Sequence, residues 1–206
     1  MKRSTLATLL GLALVAAPAA NAADSALSYS YIEANYVGTN ADIDDGLDAT
    51  ANGFGFNGSI AFGDTGLYGF AGYDTVGDDF DGIDIDINRT TAGLGYALAI
   101  DEGFHWTNEL SYVDYELEVA FDGDSGSVSA DGYRFATGLR GMMADNIEGI
   151  AKIGYINVEE DGLEIFDGAY GELGIRWHID KAWSAGLLAE IAQDEVTYKL
   201  GGRLSW

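Results

Sequence analysis

Beyond residue 22, apolar and polar residues alternate with a period of two along most of the chain. This period places successive side chains on opposite faces of an extended strand, and no segment keeps the 3.6-residue period of a helix over a useful length. The pattern therefore predicts ten strands, which run over residues 27–38, 52–63, 67–76, 87–99, 104–119, 131–143, 147–158, 168–179, 183–192 and 196–206.

The segments between these strands alternate between short and long. Short turns are predicted at 64–66, 100–103, 144–146 and 180–182, and longer loops at 39–51, 77–86, 120–130 and 159–167, with a tight connection at 193–195. Bacterial outer-membrane barrels have short turns at the periplasmic end and longer loops outside. The sequence thus predicts an all-β fold, a single closed antiparallel transmembrane β-barrel of ten strands, with both termini at the periplasmic end.

The first, third and fifth strands alternate less cleanly, which leaves an eight-stranded barrel open as an alternative. In the first strand, Tyr29 and Tyr31 give way to Ile32 and Tyr36 as the large residues of one face. A β-bulge, which inserts one extra residue into a strand, would explain this change. On that interpretation Glu33 faces the interior of the barrel.

The positions of the cations indicate which face meets lipid. Seven of the eight Lys and Arg that follow residue 22 lie within strands on the polar face, where they alternate with glutamates. A soluble protein would scatter its cations over loops and surface, whereas a barrel with an apolar outer face can pair them inside its lumen. The predicted luminal charges are Arg89, Glu109, Arg134, Arg140, Glu148, Lys152, Glu172, Arg176, Glu190, Lys199 and Arg203.

Aromatic residues gather near the ends of the predicted strands. A membrane-spanning barrel carries two such girdles, one at each lipid–water interface. The girdle near the short turns is predicted to contain Phe104, Trp106, Trp177, Trp183 and Trp206, and the girdle near the long loops Tyr36, Tyr73 and Tyr115.

The first 22 residues have the composition of a secretory signal peptide. Lys2 and Arg3 precede an apolar run from residue 6 to 17, and Ala20 and Ala22 supply the small residues of a cleavage site. This run is too short to cross a bilayer as a helix. We therefore expect residues 1–22 to direct Sec export and residues 23–206 to form the barrel. The chain has no cysteine, so no disulfide supports the fold.

The chain is strongly acidic, with 34 Asp and Glu against 10 Lys and Arg and a net charge of −24. This balance excludes nucleic acid as a partner, because too few cations are present to neutralise phosphates. Sixteen of the 34 acids fall in the predicted long loops, where a solvated, mutually repelling rim is the ordinary interpretation.

One loop suggests a second role for the acids. Its Asp spacing faintly resembles a calcium-binding loop, although Gly and a terminal Glu are not where an EF-hand needs them. Weak Ca²⁺ or Mg²⁺ binding there would bridge the loop to the phosphates of lipopolysaccharide; we expect no other cofactor and no strong metal site. The residues of this loop are Asp78, Asp79, Asp81, Asp84 and Asp86.

Five segments carry a resemblance to a known family. They are LSYSYIEANYVG at 27–38, FAGY at 70–73, GLGY at 93–96, EGIAKIGY at 148–155 and the closing RLSW at 203–206. In this order and spacing they resemble the Ax-twenty-one outer-membrane protein family of xanthomonads and their relatives. The resemblance implies an outer-membrane barrel, including its release in outer-membrane vesicles, and it carries over no catalytic residue. The longer and more acidic loops depart from the family pattern.

The final strand ends in alternating apolar residues, Tyr198, Leu200, Leu204 and Trp206. An open strand edge of this kind can be recognised by strand addition. The resemblance to outer-membrane proteins in general implies that these residues form the signal for the barrel-assembly machinery. Trp206 as a simple interface anchor is the alternative, and one residue can serve both roles.

The two histidines argue against catalysis. His105 and His178 lie beside predicted short turns, not at the outer rim where a ten-stranded protease of the outer membrane would need them, and without Cys a zinc site is not expected. We therefore expect no enzymatic activity, and an outer-membrane hydrolase is the third hypothesis.

Two functions are favoured over a hydrolase. The first is a structural or surface-interaction barrel in the bacterial outer membrane, whose acidic loops face outward and whose partners are membrane lipid and lipopolysaccharide. The alternative is a narrow, cation-preferring, porin-like channel for small solutes. Neutralising Arg176 or Lys199 would change conductance in the second case only.

Overall fold

The computed structural model describes residues 27–206 apart from 44–46, 81–82, 122–123, 161–162 and 194, with backbone alone at 41–43, 47–49, 79–80, 83, 121, 124 and 163–165. The predicted signal peptide, 1–22, lies outside the described residues. The strands are β1 Tyr31–Ile43, β2 Leu47–Ala61, β3 Leu67–Phe80, β4 Ile83–Ala99, β5 Phe104–Phe121, β6 Asp124–Ala144, β7 Ile147–Glu160, β8 Leu163–His178, β9 Trp183–Ala192 and β10 Glu195–Ser205. Within the described ranges no helix is long and apolar enough to cross a membrane.

The ten strands form one closed antiparallel barrel. Each strand pairs with its neighbours in sequence, and β1 also pairs with β10, from Tyr31 opposite Ser205 to Ala41 opposite Glu195. Closure leaves no unpaired sheet edge, as strands in lipid require, because the hydrocarbon offers no water to satisfy backbone groups. The predicted ten-stranded barrel is confirmed, and the eight-stranded alternative is wrong.

The outer surface is a belt of large apolar side chains that alternate with inward-facing polar ones. Ile153, Phe56 and Leu110 are 70%, 65% and 60% exposed, although all three are apolar. So large an apolar surface is rare on a soluble protein and fits contact with lipid. The same alternation holds in β2, β6, β8, β9 and β10, as the sequence predicted.

The two ends of the barrel differ. We call the end with the connections 62–66, 100–103, 145–146 and 179–182 the turn end, and the opposite end the hairpin end. Trp106, Trp177 and Trp183 are exposed near the turn end, and Tyr36 and Tyr73 toward the hairpin end. Aromatic residues therefore mark both rims of the apolar belt.

The hairpin end consists of paired strands where the sequence predicted long loops. Pairing continues to Phe80 opposite Ile83, to Phe121 opposite Asp124 and to Glu160 opposite Leu163. The loops predicted at 39–51, 77–86, 120–130 and 159–167 are thus wrong over most of their length. Their Asp and Gly content suggested loops, but alternating residues such as Ile85 and Ile87 keep the β-propensity of a strand.

The bulge predicted in the first strand is absent. β1 keeps one register against both neighbours, with Tyr31, Glu33 and Val37 facing inward and Ile32 and Tyr36 outward. The apparent change of face arose because aromatic residues also occupy the interior. Register shifts occur instead next to Met142 in β6 and Val158 in β7.

Aspartates close two connections at the turn end. Asp101 Oδ1 accepts a hydrogen bond from the backbone N–H of Phe104 at 2.8 Å. Asp180 Oδ1 accepts from the N–H groups of Trp183 and Ala182 at 2.7 and 2.8 Å. These donors stabilise the ionised carboxylate and hold the pKa of Asp180 below its ordinary value. Short connections therefore leave few backbone donors unpaired.

Gly138 of β6 tests how closely the strands approach. A methyl group at Gly138 would overlap the carbonyl oxygen of Ala151 and crowd the backbone of Lys152 on β7. We expect Gly138→Ala to lower the free energy of unfolding by about 1–3 kcal/mol, the usual cost of overpacking. Urea titration of tryptophan fluorescence in detergent micelles measures the change. Gly202→Ala is the control, since nothing lies within 4 Å of a Cβ added there. Equal losses in both variants would contradict the prediction.

Candidate functional site

The structure brings the eleven predicted luminal charges together inside the barrel. Each of them lies on the inward face of its strand and takes part in an ion pair with a residue of another strand. Glu33 and Asp74 complete the set, so that seven cations face six carboxylates. The interior of this barrel is therefore a nearly neutral network of ion pairs.

The group toward the hairpin end spans the full width of the lumen. Arg89 on β4 contacts Glu190 on β9 at 2.6 Å, and these two strands lie five positions apart in a ring of ten. Glu190 also accepts from Arg134 at 2.8 Å. Asp74 accepts from Arg89 at 2.8 Å and from Lys199 at 2.6 Å. Long side chains from opposite walls thus meet at the centre.

A second group crosses the middle of the lumen. Lys152 Nζ lies 3.0 Å from Glu109 and 3.1 Å from Glu172, and Tyr68 donates a hydrogen bond to Glu109 at 2.7 Å. These contacts join β3, β5, β7 and β8. They hold one ammonium group between two carboxylates, which compensates for much of its lost hydration.

Glu33 organises the cations beside β1. It accepts from Arg176 at 2.7 Å and from Arg203 at 2.5 Å. The guanidinium of Arg203 also lies over the ring of Tyr31, 3.6 Å from its centroid. One carboxylate and one aromatic face therefore serve two arginines.

The group at the turn end surrounds a fully buried carboxylate. Glu148 is 0% exposed and accepts from Arg140 at 2.7 Å, and His178 Nε2 lies 2.9 Å from its second oxygen. Arg140 also lies over the ring of Tyr29, and the hydroxyl of Tyr29 is hydrogen-bonded to His105 Nδ1 at 3.0 Å. Both histidines are thus structural partners at the turn end.

Tyr29 adds an aromatic layer to this group. Its ring stacks on Tyr68 of β3 at 4.6 Å and lies parallel to His105 of β5 at 5.6 Å. Because Arg140 of β6 reaches the same ring from the far wall, the segment before β1 lies across the turn end of the lumen.

An apolar cluster closes the lumen toward the hairpin end on one side. Its buried members are Val113, Ala130, Ala136, Ile156, Val158 and Tyr170, with Tyr115, Phe166 and Ala192 packed against them. Tyr115 was predicted in the outer aromatic girdle, and this is wrong: its ring packs on Phe166 at 5.5 Å inside the barrel. An unbroken inward alternation from Glu109 through Val113 brings it there.

A small irregular cavity remains between the charged groups. Its volume is about 170 Å³, and its lining includes Glu33, Asp74, Arg134 and Arg176. Pockets that hold a drug-sized ligand measure about 300–1,000 Å³. The free space is thus a polar gap within a packed interior.

Asp74 is the luminal charge that the sequence did not single out. The third strand alternates irregularly, because Gly69 and Ala71 lie on its outer face where large apolar residues were expected. Every second residue after the buried Tyr68 faces inward, and this series includes Gly72, Asp74 and Val76. Once Tyr68 is placed inside the barrel, the alternation therefore predicts that Asp74 is luminal.

The acids of the predicted divalent-cation loop lie on a paired hairpin. Asp84 and Asp86 are exposed on the outward side of β4, and Asp78 on the inward side of β3. Asp79 lies opposite Asp84 in register, and its side chain, like the whole of Asp81, lies outside the described residues. Among the described side chains, no three acids or histidines lie close enough to hold a metal ion.

The predicted assembly residues lie on the lipid side of β10. Tyr198 and Leu200 are 44% and 61% exposed, and Leu204 and Trp206 are half-buried. In the closed barrel β10 is paired on both edges, with β1 and with β9. Its edges are therefore open only before closure.

Comparisons with known proteins agree with the architecture. No protein-family model and no curated protein matches the sequence. Among solved structures, the β-domain of the Bordetella autotransporter BrkA has a TM-score of 0.54 and 13% identity, over 87% of this chain and 100% of that chain. Neisserial surface protein A has a TM-score of 0.51 and 12% identity, over 87% of this chain and 98% of that chain. This protein is a transmembrane β-barrel of the outer-membrane type.

Glu148 tests the energetic weight of the luminal network. We expect Glu148→Gln to lower the free energy of unfolding by about 3–5 kcal/mol, because it leaves Arg140 buried without its carboxylate. Urea titration in micelles measures the loss, and Glu102→Gln in an exposed turn is the matched control. Arg140→Met/Glu148→Leu should recover most of the stability, since it removes both charges. A single variant as stable as the control would contradict the prediction.

Proposed function

We propose that this protein is a closed, non-conducting barrel that acts through surface interactions at its hairpin end. The observation that carries the proposal is the ion pair between Arg89 and Glu190, which joins opposite walls of the lumen at 2.6 Å. A solute of any size would have to break this pair and its neighbours. Breaking buried, mutually paired charges costs several kcal/mol.

Two further layers support a closed interior. The apolar cluster around Val113 and Tyr170 lies on the hairpin side of the ion pairs. The aromatic layer of Tyr29, Tyr68 and His105 lies on the turn side. A polar path through the barrel would have to pass the ion pairs, which span the lumen, and the aromatic layer at the turn end, and the apolar cluster narrows it on one side.

The proposal places the hairpin end outside the cell and the turn end in the periplasm. Bacterial outer-membrane barrels have short turns in the periplasm and longer connections outside, and in this barrel the longer end is built from extended strands. The acids that crown the hairpins then face the medium, beside lipopolysaccharide, and they repel anionic surfaces. On this proposal the barrel has no enzymatic activity, because its histidines serve the ion-pair network at the other end.

Several finer assignments stay predictions. They are membership of the Ax-twenty-one family, Sec export, release in vesicles, and recognition of Tyr198, Leu200, Leu204 and Trp206 by the barrel-assembly machinery. The lipid-facing position of these four side chains and the double pairing of β10 support recognition before closure.

A narrow cation-preferring channel is the second candidate. The polar cavity of about 170 Å³ favours it, because Asp74 Oδ1 and the Nε atoms of Arg134 and Arg176 have no hydrogen-bond partner among the described residues. A channel would need the paired side chains to rearrange into a continuous path.

Conductance separates the two candidates. We expect the refolded barrel to give no discrete current steps in a planar bilayer, because ion pairs span the full width of its lumen. Heat-modifiable gel migration confirms that the protein is folded, and a general-diffusion porin in the same lipid is the positive control.

Neutralising variants sharpen this test. Arg176→Gln and Lys199→Gln should, like the wild type, give no discrete current steps. Cation-selective steps from the wild type, altered by either variant, would replace the closed barrel with the channel.

Weak divalent-cation binding at the hairpin end remains a separate prediction. Titration of the folded barrel with calcium in a calorimeter should show weak, millimolar binding that Asp84→Asn/Asp86→Asn reduces, because these exposed carboxylates supply oxygen ligands. Asp101→Asn, at the turn end, is the control. No heat of binding at millimolar calcium would contradict the prediction.

A further inference from the structure

On β4, β5 and β6, the apolar residues change from the outward to the inward face of the barrel wall at one level along its axis. On the outward side of β5 the residues up to Tyr112 are apolar apart from Asn108, and Glu116 and Glu118 beyond it are acidic. Tyr112 lies opposite Tyr133 of β6, and the next outward pair toward the hairpin end is Asp114 opposite Asp131. The lipid belt therefore ends at this level on the outside.

The inward side changes in the opposite sense. On β5 it is polar at Glu109 and Ser111, and apolar at Leu117 and Val119 beyond the end of the lipid belt. On β4 the buried Arg89 is followed toward the hairpin end by Ile87 and Ile85. The same strands are thus apolar outside within the membrane and apolar inside above it.

The inward apolar residues of these strands form one surface. Ile87 lies opposite Leu117, which lies opposite Val128 of β6, and Ile85 lies opposite Val119 in the next row. No register shift interrupts these pairs. We call Ile85, Ile87, Leu117, Val119 and Val128 the apolar inner face.

This face is open to solvent in the described structure. Leu117, Val119 and Val128 are 39%, 37% and 47% exposed, although they point toward the barrel axis. The wall across from them is low, because β9 and β10 have 10 and 11 residues and β5 and β6 have 18 and 21. Contiguous exposed apolar residues of this kind mark interaction surfaces.

Charge around the face has one sign. Outside the lumen, the only Lys or Arg after residue 22 is Lys181, at the turn end. Asp78 lies opposite Ile85 on the same side of the wall, and Asp84, Asp86 and Glu118 lie on its outer side. Their field extends about 8 Å at physiological salt, so a partner at the inner face meets a negative potential.

We propose that the apolar inner face binds a cationic amphipathic polypeptide segment. Apolar side chains of the segment pack on Ile87, Leu117 and Val128. Its Lys or Arg side chains lie toward the acids around this face, which are Asp78, Asp84, Asp86 and Glu118. Burial of apolar surface supplies most of the affinity, and charge complementarity supplies the selection against anionic partners. The proposal deepens the proposed function, since it takes the hairpin end to be the outward, interacting end.

The test uses the full barrel in nanodiscs of zwitterionic phosphatidylcholine, with empty nanodiscs as the blank. The probe is a fluorescent peptide of alternating Lys and Leu, and its binding is followed by anisotropy. Matched peptides of alternating Lys and Ser, and of alternating Glu and Leu, separate charge from apolar contact. We expect the Lys–Leu peptide to bind at least about tenfold more tightly than either.

Variants locate the contact. Leu117→Gln/Val128→Thr should weaken binding of the Lys–Leu peptide by about tenfold or more, since it removes apolar surface from exposed positions. Glu116→Gln/Glu118→Gln should reduce the salt dependence of binding. The control Ile100→Asn/Glu102→Gln removes an exposed apolar residue and an acid at the turn end, and should change neither. Unchanged gel migration shows that each variant is folded.

The outcomes distinguish this inference from the proposal beneath it. Equal binding of the Lys–Leu and Lys–Ser peptides, or an unaltered affinity in Leu117→Gln/Val128→Thr, overturns the docking face and leaves only charge attraction. Absence of binding to an electrically silent barrel also overturns the docking face, while the closed barrel stands. A conducting barrel overturns the proposed function whether or not the peptide binds.

Discussion

Seven cations and six carboxylates meet inside a barrel whose outer surface is apolar, and each cation is held by a carboxylate on a different strand. In a low-dielectric interior, such charges are tolerated only when they are paired and hydrogen-bonded. The pairing therefore ties together strands on opposite walls, which the backbone ladder has already placed across from each other. The combined reach of Arg89 and Glu190 matches the width of the lumen, which the strand number and shear of the barrel set.

The membrane imposes the second constraint, and it acts over part of the wall only. Outward residues must be apolar where lipid surrounds the barrel, and this requirement ends at Tyr112 and Tyr133. Beyond that level the strands continue in water, so acids occupy the outward positions and apolar residues turn inward. One continuous sheet is thus adapted to both lipid and water: its apolar residues face outward in the membrane and inward above it.

The barrel could be predicted from the sequence because apolar and polar residues alternate with a period of two in ten successive segments. It also located the cations on one face, since all but Lys181 lie within strands. Where the prediction was wrong, local composition conflicted with pairing across strands. Residues 77–86 contain several Asp and Gly but pair as strand to Phe80 opposite Ile83, and Tyr115 is an aromatic residue held inside by its parity. Asp74 was missed because Gly69 and Ala71 interrupt the apolar pattern on the outer face of its strand.

The two ends of the described chain are held together at the turn end. Ser28 donates a hydrogen bond to the backbone oxygen of Trp206 at 3.0 Å, and the N–H of Trp206 donates to Ser30 at 3.1 Å. The ring of strands consequently has no first or last member in its finished form, and the cyclic order would be the same from any starting strand. β1 and β10 differ from the other neighbouring pairs in one respect: no connection of the chain joins them, so non-covalent contacts alone hold that seam of the described barrel.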